Sequence, residues 1–441
     1  MRAGTCSKPR VPYETVGLKI PTEQADTTMR ALLSTIGSRG DVQPLIGLAI
    51  QLRASGHDAR LCVPPDFREG IDALGFDVRP IGPELRKLTA ATPATALRPP
   101  LTLDQRREMA EASVAAQFDT VRQAADGCDV IVGATALQIA ARSVAEVLDI
   151  PYVFVAYSPN VLPSPHHAPP PLPVLPGEAL QTTDDNRERW ARDGARFNDL
   201  FSASLNAHRV KLGLPAVDDV RSHVLTDRPW LACDATLGPW PESNDSSVFQ
   251  TGAWILADDR PLSAELEQFL DAGDSPVYFG FGSIRGTPDL SRVMIESARA
   301  LGRRAIVSRG WSELSAIDGG ADCLTIDEVN QQALFGRVAA AVHHGGAGTT
   351  TAAALAGVPQ VIIPQLYDQH YWATRIDELG VGVAHAPGAP TTESLTSALE
   401  RALYDDVTAC ARSLAAVMRI DGAAVAAQKV ATLAFSESHS K

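Results

Sequence analysis

Four short stretches place chemically active residues directly after apolar runs, where the strands of a parallel sheet would end. The richest is HHGGAGTT at residues 343–350, in which two histidines precede glycines and threonines. Glycine lets an anion approach the backbone closely, and the free N–H groups of a following helix attract negative charge. The stretch therefore predicts an anion site, while a tight turn with a threonine N-cap is the alternative interpretation.

The stretch GSRGDVQP carries Asp41 between the first apolar run and a helix that has Pro44 in its first turn. A carboxylate at this position can cap the helix N-terminus, where its charge is favourable. It can also act as a general base that deprotonates a hydroxyl across a cleft. The residues alone leave both interpretations open.

Three further turns carry side chains suited to a nucleotide or a sugar. GFGS ends on Ser283 and is a glycine-lined turn that says little by itself. In VSRGW, Trp311 either stacks on a nucleobase or fills the core. In QLYDQHYW, Asp368 and Gln369 either hydrogen-bond adjacent sugar hydroxyls or form a helix cap beside a solvated glutamine.

The composition predicts a soluble globular chain and excludes several classes of partner. The chain has 441 residues, of which 45% are hydrophobic, and a net charge of −13. Such a surface repels nucleic acid and anionic membranes. The six cysteines form no CxxC pair, which disfavours a zinc site. No window approaches the roughly 20 apolar residues that span a bilayer, and we expect a cytoplasmic protein.

The elements that must position these turns alternate as strand and helix in two halves. The predicted strands are MRALLST, ARLCVPP, CDVIVGAT and IPYVFVAY in the first half, and SPVYFGFGS, RRAIVSRGW, CLTID, AAAVHHGG and PQVIIPQ in the second. This alternation is typical of parallel sheets covered by helices on both faces. The pattern predicts two Rossmann-like domains with ligands at the carboxyl ends of their strands. The absence of GxGxxG after the first strand disfavours a nicotinamide or flavin enzyme.

Two breaks interrupt this pattern. The proline-rich stretch YSPNVLPSPHHAPPPLPVLPGEAL is either a functional loop or a surface linker, and LGPWPESNDSSVFQTGAW separates the two halves. The leader lacks helical or strand periodicity, and we expect it to be disordered. The predicted parts are a leader at 1–28, a first domain at 29–234, a linker at 235–253, a second domain at 254–420, and a C-terminal helix and tail at 421–441.

Several colinear segments resemble one known family. They are LLSTIGSRGDVQPLIGLA, RSVAEVLDIPY, VFQTGAWILADDRPLS, YFGFGS, VSRGW, EVNQQALFGRV and HHGGAGTTTAAALAGVPQ. From Met29 onward the chain resembles the inverting GT-B glycosyltransferases of family 1, and it is most similar to the bacterial glycopeptide-antibiotic (vancomycin-type) group. The resemblance implies an α/β fold with two Rossmann-like domains facing a deep cleft. It also implies that the C-terminal helix returns to the N-terminal domain.

The resemblance implies roles for individual residues. In plant members of the family, a diphosphate-binding histidine and a sugar-binding glutamine keep the separation of 25 positions that His344 and Gln369 have here. The implied diphosphate-binding residues are Ser283, His344, Gly346, Ala347, Gly348 and Thr349. Trp311, Val329 and Gln331 would bind the nucleobase, and Asp368 and Gln369 would bind the donor sugar.

The chain departs from the plant pattern at two positions. Asp41 stands where the plant enzymes have a catalytic histidine, as it does in the glycopeptide group. A carboxylate is the weaker base, so burial must raise its pKa, or Asp41 chiefly orients the acceptor hydroxyl. Ala352 replaces a ribose-binding glutamate, which makes a TDP-sugar as plausible as a UDP-sugar. The implied reaction is one inverting displacement in which the helix end and His344, with no metal, stabilise the leaving diphosphate.

The predicted function is that of a hexosyltransferase that moves a sugar from a UDP- or TDP-sugar to a hydroxyl of a natural-product aglycone, with a glycopeptide as the expected acceptor. The first domain would bind the acceptor, with the proline-rich stretch and residues 81–109 along that side, and the second domain would bind the donor. The alternatives are a transferase for a sterol, macrolide or polyketide, a UDP-sugar 2-epimerase, and a non-catalytic nucleotide-sugar-binding partner. We expect a monomer that needs no cofactor and binds neither nucleic acid nor a membrane.

Overall fold

The computed structural model describes residues 28–90, 101–171, 183–242, 247–282, 289–312 and 314–438. Residues 1–27 of the predicted leader, residues 172–180 of the proline-rich stretch, and Ser283 lie outside this part of the chain. The described residues form two parallel β-sheets with helices packed against them, which confirms the predicted two-domain α/β fold. None of the helices in these ranges is long and apolar enough to cross a membrane.

The first sheet reverses its strand order in the middle. Its strands are β1 (Arg30–Ser34), β2 (Asp58–Val63), β3 (Asp77–Pro80), β4 (Val130–Ala134), β5 (Tyr152–Ala156), β6 (Trp230–Leu231) and β7 (Phe249–Gln250). Their order is β3-β2-β1-β4-β5-β6-β7, so the chain leaves β1 on one side and returns on the other as β4. Such a reversal opens a ligand crevice at the carboxyl ends of the two central strands.

The second sheet repeats this plan. Its strands are β8 (Val277–Gly280), β9 (Ala305–Ser308), β10 (Cys323–Ile326), β11 (Ala340–His343), β12 (Gln360–Ile362) and β13 (Gly382–Ala384). The order β10-β9-β8-β11-β12-β13 places its reversal between β8 and β11. The apolar runs of both sheets are continuous because helices cover both faces of each sheet.

Fifteen α-helices accompany the sheets in the described ranges. Those before β8 are α1 (Arg39–Ala54), α2 (Arg68–Ala73), α3 (Leu85–Ala90), α4 (Leu103–Ala124), α5 (Ala141–Leu148), α6 (Asn186–Lys211), α7 (Val220–Leu225) and α8 (Ala264–Asp271). Those after β8 are α9 (Leu290–Ala300), α10 (Gln331–Phe335), α11 (Ala347–Leu355), α12 (Gln369–Glu378), α13 (Thr392–Ala402), α14 (Asp405–Ala415) and α15 (Gly422–Ser438).

Helix α15 packs on the first sheet although it follows the second sheet in the sequence. Its buried residues Ala426, Ala427 and Val430 share an apolar cluster with Leu45 and Leu48 of α1. The small alanine side chains let the two helices approach closely. The predicted return of the C-terminal helix to the N-terminal half is therefore confirmed.

The chain crosses between the two halves at two adjacent points. A Cβ placed on Gly252, whose φ is +92°, would lie 3.2 Å from the Cα of Gly422. The Asp234 carboxylate also accepts a hydrogen bond from the Arg419 N–H at 3.0 Å. Strand β7, which pairs with β6, lies within the residues predicted as the linker.

Candidate active site

The residues predicted to do chemistry follow strands near the two reversal points. Asp41 follows β1, while His344 and Asp368 follow β11 and β12. Trp311 follows β9, which pairs with β8. The carboxyl ends of parallel strands meet at one edge of a sheet, so each half presents its loops on one side.

The His344 ring lies between two glycine turns. A Cβ on Gly346 would lie 2.6 Å from His344 Nε2, and a Cβ on Gly282 would lie 3.2 Å from its Cε1. Larger residues at these positions would crowd the ring. Burial lowers the pKa of His344 to about 4, and the backbone of Gly280 opposes the shift. The ring is therefore neutral at about pH 7. Its buried Nδ1 has no hydrogen-bond partner among the described residues.

The neighbouring histidine has a structural role. His343 is fully buried, and its Nε2 lies 2.9 Å from Gln360 Oε1, while its Nδ1 accepts the Gly345 N–H at 3.0 Å. This arrangement assigns the proton to Nε2. Burial, with a smaller contribution from His344, lowers the pKa of His343 to about 3. His343 therefore fixes the start of the glycine turn in which His344 lies.

The N-terminus of α11 has no side-chain cap. Gly346 is the N-cap residue, and the N–H groups of Ala347, Gly348 and Thr349 belong to the first turn, where donors lack intrahelical partners. The Thr350 hydroxyl instead donates to the Gly346 carbonyl at 3.0 Å. The threonine-cap interpretation is therefore wrong. The open helix end, next to His344, suits an anion.

The tryptophan turn packs against the glycine turn after β8. The backbone N–H of Trp311 donates to the Gly282 carbonyl at 2.8 Å. A Cβ on Gly310, whose φ is +51°, would lie 2.6 Å from the same carbonyl oxygen. The Trp311 side chain is only half-buried, so it does not fill the core. Its turn lies beside the glycine that contacts His344, so the ring is close to the predicted diphosphate site.

The turn after β12 combines a carboxylate with a carboxamide. Gln369 Oε1 accepts the N–H groups of Gln365 at 2.9 Å and Leu366 at 3.1 Å, which leaves its Nε2 donors for a ligand. The Asp368 carboxylate accepts the Trp372 indole N–H at 3.1 Å. Burial raises the pKa of Asp368 to about 7, although the Trp372 hydrogen bond opposes the shift.

The alternative interpretation of this turn is wrong on both counts. Asp368 occupies the N-cap position of α12, but its side chain caps no backbone N–H there. Gln369 is 5% exposed and is therefore not a solvated side chain. A half-buried carboxylate and a buried amide at a strand end have hydrogen-bonding capacity that the helix does not use.

The loop before α10 carries the residues predicted to bind the nucleobase of the donor. Asn330 is buried, caps α10 by accepting the Ala333 N–H at 3.0 Å, and donates to the carbonyls of Asp258 at 2.6 Å and Arg260 at 2.8 Å. These hydrogen bonds fix the backbone on either side of Asn330, at Val329 and Gln331. The Gln331 amide also donates to the Tyr278 hydroxyl at 3.4 Å.

Asp41 lies in the first turn of α1, on the other side of the cleft. Its Oδ2 accepts the Ser38 N–H at 2.7 Å, so the capping interpretation is confirmed. A Cβ on Gly37 would collide with the carboxylate, which is why a glycine precedes Ser38. Burial raises the pKa of Asp41 to about 6, and the Ser38 hydrogen bonds oppose the shift. A half-buried carboxylate with this pKa is a better base than an exposed one.

An ion pair joins the two walls of the cleft. The Arg39 guanidinium lies 2.6 Å from the Glu328 carboxylate, just before the predicted base loop. Burial is the main cause of the raised pKa of Asp368, and the charge of Asp41 adds to it. Both carboxylates, together with Asp193, contribute after burial to the raised pKa of Tyr367. No group of three or more His, Cys, Asp or Glu side chains that could hold a metal occurs in the described part of the chain.

Sequence reasoning missed two residues of this site. The Tyr157 hydroxyl donates to the Asp41 carbonyl at 3.0 Å and so holds the first turn of α1. Tyr367 directly precedes Asp368, and its φ of +55° is a backbone conformation that is unusual for a tyrosine. Tyr157 is the last residue of the predicted strand IPYVFVAY, and its position at a strand end was a signal that could have identified it.

Family models match both halves of the chain. The Glycosyltransferase family 28 N-terminal domain matches residues 31–164, and the C-terminal domain of Erythromycin biosynthesis protein CIII-like proteins matches residues 304–431. The crystal structure of the glycotransferase of kitacinnamycin has a TM-score of 0.68 at 20% identity and covers 92% of this chain and 99% of its own. Fold and matches together define a GT-B glycosyltransferase.

Two relatives narrow the class. The chain is 48% identical over 403 residues to the vancomycin aglycone glucosyltransferase of Amycolatopsis orientalis, covering 91% of this chain and 96% of the relative. It is 43% identical over 394 residues to the dTDP-epi-vancosaminyltransferase of the same organism, covering 88% and 93%. The chain therefore belongs to the vancomycin-type glycosyltransferases, as the sequence resemblance predicted.

Proposed function

We propose that this glycosyltransferase moves a sugar from a UDP- or TDP-sugar to a hydroxyl of a glycopeptide aglycone, with inversion. The observation that carries the proposal is the pairing of two walls. One wall has a carboxylate with a raised pKa at Asp41, and the other has an uncapped helix end beside His344. A base and an anion site that face each other suit a single displacement between them.

The donor diphosphate would bind at the start of α11. The N–H groups of Ala347, Gly348 and Thr349 and the Nε2 of His344 would face its oxygens. Ser283, which lies outside the described residues, is a further diphosphate-binding residue predicted from the sequence. As the bond to the sugar breaks, negative charge grows on the leaving oxygen, where the helix end and these N–H groups stabilise it. The half-buried Trp311 and the backbone at Val329 and Gln331 would bind the nucleobase of the donor.

The sugar would lie between the two walls. Gln369 has only amide N–H donors left, so it would donate to a sugar hydroxyl, whereas Asp368 would accept from one. With a pKa of about 7, Asp368 can accept a hydrogen bond as the carboxylate and donate one as the acid. This pair would set the orientation of the anomeric carbon toward the first sheet.

The transfer itself needs one proton movement in the protein. Asp41 would accept the proton of the acceptor hydroxyl as that oxygen attacks the anomeric carbon from the face opposite the diphosphate. The carbon–oxygen bond to the diphosphate breaks in the same step, so the configuration inverts. A carboxylate with a pKa of about 6 takes up the proton late in this step, when the attacking oxygen has become acidic.

The acceptor class is supported by the relatives, of which one is named for the vancomycin aglycone. The first domain, including residues 81–90 and 101–109 and the start of α4, would contact the acceptor. Metal-independent catalysis, a monomeric state, a cytoplasmic location and the domain boundaries remain predictions from the sequence.

The test combines transfer with binding. Purified protein is incubated with vancomycin aglycone and either UDP-glucose or TDP-glucose, with and without EDTA, and the product's anomeric configuration is read by NMR. We expect a β-glucoside from an α-linked donor, formed equally well in EDTA. Release of nucleotide without an acceptor, accompanied by a free epimerised sugar, would instead establish the epimerase. Calorimetry with UDP and TDP on the same preparation shows which nucleotide the donor site prefers.

A further inference from the structure

A turn after β4 contacts the loop that leads into the first turn of α1, where Asp41 lies. The turn runs from Thr135 to Gln138, and the Gln138 N–H donates to the Thr135 carbonyl at 3.2 Å. Because β1 and β4 are paired, with Ser34 opposite Gly133, this turn lies directly beside the end of β1. The side chain of Gln138 is fully buried there.

The Gln138 side chain binds the loop at three points. One end of its amide lies 3.2 Å from the Ser34 hydroxyl, 3.3 Å from the Thr35 nitrogen and 3.2 Å from the Ile36 nitrogen. Because all three groups can donate, this end is assigned as the amide oxygen, which accepts from them. The Thr35 N–H is also held by the Cys62 carbonyl at 3.0 Å, so the sheet anchors one of the three donors independently. Gln138 therefore acts mainly on Ser34 and Ile36.

From these residues a short series of hydrogen bonds reaches Asp41. Thr35 Oγ1 accepts the Gly37 N–H at 3.1 Å, and the next N–H, that of Ser38, donates to Asp41 Oδ2 at 2.7 Å. A shift of the loop at Ile36 would move the donor that holds the carboxylate. The Tyr157 hydroxyl, at the Asp41 carbonyl, acts on the other side of the same turn.

The turn is anchored from behind by a second buried glutamine. Gln117 of α4 is 2% exposed, donates to the Leu137 carbonyl at 3.0 Å, and accepts the Ala140 N–H at 3.3 Å. Thr135 has a φ of +74°, a conformation that a β-branched residue rarely adopts, and its buried hydroxyl has no partner among the described residues. Such strain persists only where the surroundings impose the shape of the turn.

We propose that Gln138 is a positioning residue for transfer, which holds the loop at residues 34–38 so that the Asp41 carboxylate faces the acceptor. This inference rests on the proposed role of Asp41 as the base. Gln138 is fully buried and acts through Ser34, Ile36 and Ser38. Since Gln117 anchors the same turn from α4, the loop is fixed to the helix on the predicted acceptor side.

Two variants of Gln138 test the proposal. Gln138→Met keeps the length of the side chain but removes the acceptor oxygen, whereas Gln138→Glu keeps an acceptor oxygen in either protonation state. Ser297→Ala is the matched control, because the Ser297 hydroxyl is equally buried but donates to the Val293 carbonyl, in the second half of the chain. Each protein is assayed for transfer from UDP-glucose to vancomycin aglycone, for UDP binding, and for amide hydrogen exchange at residues 34–42.

We expect Gln138→Met to lower kcat by about a hundredfold, the effect of a small misplacement of a catalytic group. UDP affinity should stay unchanged, and exchange should rise selectively at residues 34–42. Gln138→Glu should recover most of the rate, and Ser297→Ala should alter neither rate nor exchange in that segment. A Gln138→Met protein with normal kcat, or one that loses UDP binding together with a uniform rise in exchange, would overturn the proposal.

The exchange measurement separates this proposal from the proposed function. It requires no substrate, so it reports on the loop even if the wild-type protein transfers no glucose. Absence of transfer by the wild-type protein would count against the proposed function alone. Unchanged exchange at residues 34–42 in Gln138→Met would count against the positioning role alone.

Discussion

The turns that lead into α1 and α11 occupy the same place in two sheets of the same plan, yet they prepare opposite chemistry. At α1 the chain supplies its own negative group, since the Asp41 carboxylate takes the Ser38 N–H. At α11 the N-cap is Gly346, and no side chain satisfies the helix end. One helix end is closed by a carboxylate and the other is open to an anion.

The difference shows how one local topology serves two functions. A helix N-terminus attracts negative charge, and the sequence decides whether that charge belongs to the protein or to a ligand. Where the protein supplies it, the carboxylate is held in a defined position and can serve as a base. Where glycine takes its place, the backbone itself becomes the binding surface.

The largest effect is expected from removing the charge at α1. Asp41→Asn keeps an oxygen that can accept the Ser38 N–H but cannot take a proton, so the transfer rate should fall by about 10²–10⁴-fold. UDP affinity, measured by calorimetry, should not change. Asp405→Asn, in the exposed first turn of α14, is the control and should behave like the wild type. A retained rate in Asp41→Asn would remove Asp41 from the role of base.

The reverse change makes α11 resemble α1. A Cβ on Gly348 meets no atom within 4 Å, so Gly348→Asp and its neutral match Gly348→Asn both fit. The new carboxylate would repel the diphosphate, and we expect UDP to bind about tenfold to a hundredfold more weakly to Gly348→Asp than to Gly348→Asn. Equal affinities by calorimetry would mean that the diphosphate does not bind at this helix end.

The pH dependence of transfer should report the protonation of Asp41. Burial raises the pKa of Asp41 to about 6, so the base is ionised above this pH and is lost by protonation below it. We expect kcat to fall about tenfold for each pH unit below the pKa. The residual rate of Asp41→Asn should lack this acid limb. An acid limb that persists in the variant would belong to another group.

The smallest effect is expected at Tyr157. Tyr157→Phe removes the hydroxyl that donates to the Asp41 carbonyl but keeps the ring. One hydrogen bond of this kind contributes about 1 kcal/mol, so kcat should fall about fivefold with little change in acceptor KM. Tyr404→Phe, at an exposed tyrosine far along the chain, is the control for loss of a hydroxyl. A rate equal to that of the wild type would show that the first turn of α1 holds its shape without this contact.

Much of this comparison could be predicted from the sequence, because the long apolar runs and the glycine turns are local signals. The nine strands predicted from apolar runs are present as β1, β2, β4, β5 and β8–β12. The strands β3, β6, β7 and β13 were missed, because β6 and β7 have only two residues and because β3 (DVRP) and β13 (GVA) lack a long apolar run.

The limits of sequence reasoning were clearest at individual side chains. Thr349 and Thr350 looked like candidate caps, but the turn places Gly346 at the cap and directs the Thr350 hydroxyl backward. No local pattern indicates that Gln138 faces the end of β1, because that contact depends on the pairing of β1 with β4. Likewise, the sequence cannot tell which end of the Gln369 amide is already used by its own loop.

The packing of α15 against α1 also bears on how the chain is made. Leu45 and Val430 belong to one apolar cluster, so the first half of the molecule is completed by a helix synthesised after the whole second sheet. A nascent chain can assemble the second sheet on its own core, but the first half must keep the apolar face of α1 uncovered until α15 leaves the ribosome. Contacts so distant in sequence form slowly, and the uncovered face is prone to wrong association in the meantime.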